Sequence, residues 1–405
     1  MNQFSSLGVG ARTLAALDRA GISSPLPVQE QAVPPLRSGS DVVIQAPTGS
    51  GKSLAFLLPL AGLAGLAAPQ RATRGPRAMV VCPTRELALQ IAAVFDTLDL
   101  GLRQLLVFGG VGYGAQLGGL RRGTDLLIGT PGRIVDLVER RVLDLSGVRY
   151  MVLDEADEMF DSGFAPIIER IIALTRQPQM VLASATMPEW VESMIVRHLR
   201  QPVRVCVEDD EESRLEHGLM RVDAHGGKLK VLDRLLSARA GSTIAFGRTK
   251  HGVARVCRDI ERLGHRPQQL RGDMSQGQRQ RALQAFRDDP DGVLVATNVA
   301  ARGLDISHVG LVINYDLPDT PQWLTHRVGR TARNGASGRA LTLLTSQDEP
   351  AWTKLRRQGA EDLPEVDSEH LLATGEWRLR PAPRPLAPIP TSSRGPRPFQ
   401  HRRRP

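Results

Sequence analysis

The sequence is poor in cysteine, in aromatic residues and in long apolar runs. Its 405 residues include three widely spaced cysteines, Cys82, Cys206 and Cys257. They form neither a metal-binding spacing nor a disulfide framework, so a reducing cytoplasm fits best. No apolar run reaches the roughly 18 residues of a membrane span. The first residues lack the basic and apolar regions of a signal peptide, so none is expected.

The overall composition is that of an ordinary globular protein. Hydrophobic residues make up 41% of the chain and charged residues 23%, which excludes a wholly disordered or collagen-like protein. A chain of this length predicts two or three domains.

The positive charge is concentrated at the C-terminal end. The whole chain carries a net charge of +9, but residues 377–405 contain eight arginines and no acidic residue. Residues 378–405 also hold eight prolines, a composition that predicts a disordered tail. Such a basic tail suits a polyanion, whereas its prolines suit docking on a protein.

Short apolar segments alternate with helical segments along the rest of the chain. The first set of apolar segments lies at 42–44, 79–81, 105–107, 126–128, 151–153 and 180–182, and a second set lies at 243–246, 293–295, 311–313 and 340–343. These segments are continuously apolar, which is typical of parallel strands covered by helices on both faces. The predicted fold class is therefore α/β, with two parallel sheets in tandem.

An acidic run, Glu208–Glu212, separates the two sets and is interpreted as a solvated linker. The predicted domains are 1–207 and 219–350, joined by a linker at 208–218. Residues 351–377 form a C-terminal extension, and the tail follows at 378–405.

A phosphate-binding loop is predicted directly after the first strand. It consists of Ala46, Pro47, Thr48, Gly49, Ser50, Gly51, Lys52 and Ser53. Its glycines allow backbone N–H groups to face a phosphate, its lysine can reach the β- and γ-phosphates, and its serine hydroxyl can hold Mg²⁺. The alternative is a glycine-rich turn with a lysine present by chance.

An acidic segment, Asp154-Glu155-Ala156-Asp157, follows the predicted strand at 151–153. One carboxylate can hold Mg²⁺ while its neighbour orients an attacking water. The alternative is an acidic helix N-terminus, which the helix dipole favours.

Together these two segments resemble a DEAD-box ATP-dependent RNA helicase of superfamily 2, of the bacterial type. The resemblance extends through most of residues 4–335 and implies two RecA-like domains. It also implies that Phe4 stacks on adenine and that Gln29 reads the adenine edge. Asp154 and Ser53 would bind Mg²⁺.

The resemblance assigns further residues of both domains. RNA contacts fall to Pro83, Thr84, Arg85, Gly109, Gly110, Thr130, Pro131, Gly132, Arg133, Arg279 and Thr297. Coupling between the ATP and RNA sites falls to Asp157, Ser184, Thr186 and His326. Gly303 and Asp305 would approach the ribose of ATP, and Arg330 and Arg333 would act on the γ-phosphate.

Three residues depart from the usual family pattern. Ser53 replaces threonine, and either hydroxyl can bind Mg²⁺. Asn298 stands where aspartate is usual, which removes a carboxylate. Ala332 stands where glycine is usual, so a positive φ there would strain the backbone.

The implied function is an RNA-dependent ATPase that locally unwinds RNA duplexes or remodels RNA–protein complexes. ATP and Mg²⁺ are the expected cofactors. RNA is the expected partner, with ribosomal or RNA-decay proteins as alternative partners of the tail. Three other functions stay open: a DNA helicase or translocase, an RNA clamp or scaffold with weak hydrolysis, and a P-loop kinase.

Overall fold

The computed structural model describes residues 3–47, 49–62, 75–207, 215–223, 225–238, 241–298, 309–332, 337–375 and 377–379. Four predicted site residues, Thr48, Gly303, Asp305 and Arg333, lie outside these ranges. So do the acidic run at 208–212 and the predicted tail from residue 380 onward. Within the described part of the chain, no helix is long and apolar enough to cross a membrane.

The first domain is built on a seven-stranded parallel sheet. Its strands, in chain order, are β1 Val42–Gln45, β2 Ala78–Val81, β3 Gln104–Val107, β4 Leu126–Gly129, β5 Tyr150–Asp154, β6 Gln179–Ser184 and β7 Val203–Cys206. They lie side by side in the order β3-β4-β2-β5-β6-β1-β7. All pairs are parallel.

In the part of the chain that the structure describes, nine helices accompany the first sheet. They are α1 Ala11–Arg19, α2 Pro27–Arg37, α3 Lys52–Leu57, α4 Arg85–Thr97, α5 Gly114–Arg122, α6 Pro131–Glu139, α7 Ala156–Asp161, α8 Ala165–Ala173 and α9 Glu189–His198. Short 3₁₀ helices span Gln3–Leu7 and Leu58–Ala61. Two apolar clusters of buried residues accompany the sheet. Successive residues of β5 belong alternately to one cluster and the other, as expected for a strand buried on both faces.

The second domain has a six-stranded parallel sheet. Its strands are β8 Leu215–Arg221, β9 Ser242–Gly247, β10 Pro267–Leu270, β11 Val293–Thr297, β12 Val309–Asn314 and β13 Gly338–Leu344. Their order is β10-β11-β9-β12-β13-β8. The described helices are α10 His225–Ala238, α11 Lys250–Arg262, α12 Gln276–Asp288, α13 Pro321–Val328, α14 Glu349–Arg357 and α15 Ser368–Thr374. The predicted α/β class with two parallel sheets is confirmed.

The observed elements refine the predicted boundaries of the second domain. Strand β8 begins at Leu215, inside the range 208–218 that was predicted as linker. The C-terminal extension also belongs to this domain. Trp352 and Leu355 of α14 are buried in one of its apolar clusters, and Leu371 of α15 is buried in another.

The segment after α14 covers the edge strand of the second sheet. Leu219 of β8 donates its N–H to the carbonyl of Pro364, and Val366 donates its N–H to the carbonyl of Leu219. Val366 forms a further bridge with Leu379. A Cβ at Gly218 would collide with Val366 and Leu379, so glycine allows this close packing.

Candidate ATP and nucleic-acid site

The predicted motifs divide between two halves of the first sheet. The P-loop follows β1, the acidic motif follows β5 and Ser184 ends β6, and these three strands are neighbours. The predicted RNA motifs at 83–85, 109–110 and 130–133 follow β2, β3 and β4, which form the other half. Because all strands are parallel, both groups lie at the carboxyl edge, where open α/β sheets bind ligands.

The P-loop turns sharply from β1 into α3. Gly49 and Gly51 have φ values of +91° and +89°, a region that glycine enters without strain. Lys52 is buried, and its Nζ donates to the carbonyls of Ala46 and Pro47 at 2.5 and 2.8 Å. Ser53 follows on the first turn of α3. The described part of the loop therefore has the turn that phosphate binding needs.

Gln29 of α2 contacts the P-loop through a hydrogen bond. Its Oε1 accepts from the N–H of Leu26 at 2.9 Å, and its Nε2 donates to the carbonyl of Gly51 at 3.2 Å. Phe4, which is predicted to stack on adenine, is fully buried in an apolar cluster of the first sheet in this conformation. That role for Phe4, and adenine reading by Gln29, stay predictions.

Asp154 is a buried carboxyl at the end of β5. Burial and the neighbouring Glu155 raise its pKa to about 7, although Lys52 acts in the opposite direction. Glu155 has a left-handed φ of +51°, which is uncommon outside glycine. Its Oε2 is buried and makes no hydrogen bond within the described residues. A divalent cation would relieve the repulsion between these two acids, so the residues fit Mg²⁺.

Asp157 joins three of the predicted coupling residues. Its Oδ2 accepts from the N–H and the hydroxyl of Thr186 at 2.9 and 2.7 Å. Its own N–H donates to Ser184 Oγ at 3.2 Å. From the second domain, His326 Nε2 lies 3.8 Å from the same Oδ2. Burial alone would raise the pKa of Asp157, but His326 and Thr186 hold it at about 2.

The second domain brings basic side chains to the same cleft. His326, Arg327 and Arg330 line a small cavity together with Glu158 of α7. Arg330 therefore lies at the interface between the two domains. Its action on a γ-phosphate stays a prediction.

Arg327 is a nearly fully buried cation that the sequence-based prediction missed. Its Nε donates to Asn298 Oδ1 at 2.6 Å, and its Nη1 donates to Asn314 Oδ1 at 3.1 Å and to the carbonyl of Asp316. Its guanidinium also lies over the ring of Phe246, 5.1 Å from the centroid. Burial lowers the pKa of Arg327 to about 9. The amide of Asn298 therefore binds Arg327 at the position where the family pattern has a carboxylate.

The predicted RNA motifs form a compact basic face. Thr84 caps α4 by accepting from the N–H of Leu87 at 3.2 Å. The Arg85 side chain lies so close to Gly110 that a Cβ there would collide with it. Burial lowers the pKa of Arg85, the adjacent Glu86 acts in the opposite direction, and the positive charges of Arg279 and Arg133 lower the pKa further.

Arg133 is largely held by neighbours within its own domain. Its guanidinium donates to Gln116 Oε1 and to the carbonyl of Val111, both at 3.2 Å. It also stacks over the ring of Tyr113 at 4.2 Å. The structure thus gives Arg133 a role in positioning the loop after β3, and direct RNA contact stays a prediction.

Comparisons with known proteins support the same reading. The sequence profile of the DEAD/DEAH box helicase family matches residues 26–194, and that of the helicase conserved C-terminal domain matches 227–335. The chain belongs to the DEAD-box helicase family. The matched segments carry the P-loop, the acidic motif and His326, and of the described site residues Phe4 lies outside them.

Two curated relatives illustrate the sequence similarity. The ATP-dependent RNA helicase DeaD of Mycobacterium tuberculosis is 39% identical over 352 residues, which cover 85% of this chain and 61% of the relative. The DEAD-box ATP-dependent RNA helicase 53 of Oryza sativa is 39% identical over 347 residues, which cover 84% and 57%. The chain thus spans about three fifths of the length of these relatives.

Solved structures support the two-domain fold. Dbp5 of S. cerevisiae bound to RNA and ADP BeF3 has a TM-score of 0.78 at 26% identity, with 91% of this chain and 97% of that chain covered. A DEAD box protein from Methanococcus jannaschii has a TM-score of 0.52 at 29% identity, with 89% and 98% covered.

Ala332, which stands where the family pattern has glycine, adopts a positive φ. Its φ is +53°, in the left-handed region. An L-residue in this conformation costs about 1–2 kcal/mol, and the greater freedom of glycine in the unfolded chain offsets part of that. We expect Ala332→Gly to raise the free energy of unfolding by about 0.5–1 kcal/mol in urea denaturation.

Ala254→Gly inside α11 is the matched control for Ala332→Gly. It should lower the free energy of unfolding by about 1 kcal/mol, because its helical φ gives glycine no advantage. Equal losses in the two variants would contradict the assignment of strain to Ala332.

Asp154 and Asp157 should affect stability in opposite directions. The folded pKa of Asp154 is raised, so its ionisation destabilises the fold as the pH rises from about 4 to 7. Asp154→Asn should therefore raise the unfolding free energy of the nucleotide-free protein by about 1–4 kcal/mol above pH 7. Denaturant titrations at several pH values measure this, and a gain that does not grow with pH would refute the charge argument.

Asp157→Asn is the matched comparison within the same motif. The folded pKa of Asp157 is depressed, so the stability it supplies is present above about pH 4 and is lost as the pH falls toward 2. The variant should be less stable than the parent by about 1–2 kcal/mol at pH 7.

Asn298→Asp tests the amide that faces Arg327. Hydrogen bonds between two charged groups are stronger than those with one neutral partner by about 1 kcal/mol. The variant should raise the free energy of unfolding by about that amount at pH 7. Asn314→Asp is the control. It removes a buried amide donor, Asn314 Nδ2, which donates to Thr342 Oγ1 at 3.0 Å. A loss of stability in Asn298→Asp would show that the amide is the better partner.

Proposed function

We propose that this protein is an RNA-dependent ATPase that separates short RNA duplexes or remodels RNA–protein complexes. The observation that carries the proposal is the position of Asp157. This residue of the acidic motif contacts Thr186 in its own domain and His326 in the other. A change at the ATP side of the first domain is thereby linked to the placement of the second domain.

ATP would be held by the first domain. The P-loop amides and Lys52 suit its phosphates, and Gln29 supports the loop beside them. Ser53 and Asp154 would hold Mg²⁺, which neutralises charge on the phosphates when bound. The buried Oε2 of Glu155 supports its proposed role in orienting the attacking water.

RNA would bind along the basic face next to the ATP half of the sheet. Arg85 and the N-terminus of α4 suit backbone phosphates, and Arg279 approaches from the second domain. Such contacts imply little base specificity, so that discrimination against DNA would depend on the 2′-hydroxyl. The name of the Mycobacterium tuberculosis relative, an ATP-dependent RNA helicase, and the RNA bound to Dbp5 support this choice of partner.

Magnesium, a cytoplasmic location and RNA tethering by the basic tail complete the proposal. The location is proposed from the wide spacing of the three cysteines, which suits a reducing compartment. The tail would bind RNA through its arginines, or ribosomal or RNA-decay proteins through its prolines.

Phosphate release from ATP tests the function. We expect hydrolysis by the full chain to rise strongly with single-stranded RNA and to respond much less to DNA of the same sequence. Glu155→Gln should lower kcat with RNA by about 100-fold or more, because it removes the proposed water-orienting carboxylate. ATP binding by this variant should persist and serves as the check on its folding.

Each alternative has its own outcome in this assay. Equal stimulation by DNA and RNA would favour a DNA helicase or translocase. RNA binding without hydrolysis would favour a clamp or scaffold. Transfer of phosphate to an acceptor, without its release, would favour a kinase. A duplex-separation assay then follows for a protein that is stimulated by RNA.

A further inference from the structure

Four exposed arginines lie at the amino edge of the first sheet, opposite the edge that carries the predicted ATP and RNA motifs. Arg103 directly precedes β3, Arg149 directly precedes β5, and Arg121 and Arg122 end α5, which leads into β4. We call these four residues the amino-edge patch. Outside residues 377–405 the basic and acidic residues of the chain nearly cancel, so the patch is a local concentration of positive charge.

Two acidic residues lie near the amino-edge patch and leave it positive. Asp125 precedes β4, and its side chain is only 8% exposed. Its Oδ1 accepts from Arg77 Nη2 at 2.9 Å, and its Oδ2 accepts from the N–H of Arg103 at 2.9 Å. This one carboxylate is therefore shared between two arginines. The other acid, Asp144 in the loop before β5, interacts with Arg176, which lies outside the patch.

Helix α5 links the amino-edge patch to the basic face formed by the predicted RNA motifs. The helix begins at Gly114, shortly after Gly109 and Gly110 of that face, and it ends at Arg122. At 1.5 Å per residue, its nine residues span about 13 Å. A nucleic-acid strand carries one phosphate per about 3.4 Å, so the helix is as long as about four nucleotides.

The two arginines that end α5 are suited to a ligand from outside. Within the described part of the chain, neither Arg121 nor Arg122 has a hydrogen bond or ion pair from its side chain. A Cβ at Gly118 would lie 3.3 Å from Arg122 Nη1, so this guanidinium extends back along the helix toward the basic face. The helix dipole favours basic residues at this end, but it does not account for Arg103 and Arg149, which begin strands.

We propose that the amino-edge patch is a second RNA-binding surface. It binds the backbone of a strand that leaves the basic face along α5. Guanidinium groups suit this task because their planar fork binds phosphate through two parallel hydrogen bonds. The position of the patch at the far end of α5 favours RNA over an acidic protein, since the strand is already held at the near end. This inference rests on the proposed RNA-dependent ATPase activity.

The second surface predicts a length-dependent loss of RNA affinity when Arg121→Gln and Arg122→Gln are combined. We would measure dissociation constants of the full chain by fluorescence anisotropy, using single-stranded RNAs of about six and about sixteen nucleotides at several salt concentrations. For the longer RNA, the slope of log K against log salt should become shallower by about 1.4, since each phosphate contact contributes about 0.7. Its affinity at about 0.1 M salt should fall by about tenfold or more. The shorter RNA should keep its affinity, because it ends before the patch.

The matched control combines Arg356→Gln with Arg357→Gln. These two exposed arginines also end a nine-residue helix, α14, but they lie in the second domain. The control should bind both RNAs as the parent does. Equal losses in the two double variants would reveal a general effect of charge and overturn the proposal.

Three further outcomes would also contradict a second RNA surface. An unchanged salt slope for the longer RNA would show that the two arginines do not meet phosphates. An equal loss for both RNAs would make the arginines part of the basic face itself. Unchanged RNA binding together with weaker binding of polyglutamate would assign the patch to an acidic protein.

Hydrolysis assays separate this proposal from the proposed function. A parent protein whose ATP hydrolysis does not respond to RNA would refute the function itself. A parent that responds, together with a variant at α5 that keeps its affinity for the longer RNA, would refute only the second surface. Retention of nucleotide binding by the variant shows that it is folded.

Discussion

The buried carboxylate of Asp157 is the group on which the arrangement of the cleft depends. Burial disfavours its charge, yet the hydroxyl and N–H of Thr186 and the facing His326 keep it ionised. A buried anion of this kind is stable only while its partners stay in place. Any motion that withdraws His326 must therefore be compensated, so this one carboxylate would link the proposed nucleotide site of the first domain to the position of the second domain.

The sheet order explains how the two proposed ligand sites fit on one edge without overlapping. ATP motifs follow the three neighbouring strands β5, β6 and β1, while the basic face follows β3, β4 and β2. Asp154 and Asp157 stand three residues apart, but their pKa values are shifted in opposite directions. The carboxyl group of Asp154 lies in an excess of negative charge, which suits a bound cation. The carboxylate of Asp157 already has partners within the protein.

Much of the fold could be predicted because central parallel strands are continuously apolar. The edge strands β7, β8 and β10 were not predicted, since they are short or half-exposed and carry polar residues that resemble loops. The motifs placed the P-loop and the acidic residues at the ends of their strands, because these patterns are local in sequence, and the roles of these residues stay predictions. Contacts between distant segments, such as Glu86 with Arg279, could not be read from spacing. The burial of Phe4 likewise depends on packing that a sequence pattern does not contain.

The cover over β8 has a practical consequence for dividing the protein into parts. A second domain excised at residues 219–350 would begin inside β8 and would lack the segment that bonds to Leu219. Its outermost strand would then offer unpaired N–H and C=O groups to any other chain, which is the usual origin of edge-to-edge aggregation. A fragment that keeps the edge strand covered has to begin before Leu215 and to retain the chain through Leu379. The C-terminal extension therefore contributes to the solubility of the second domain.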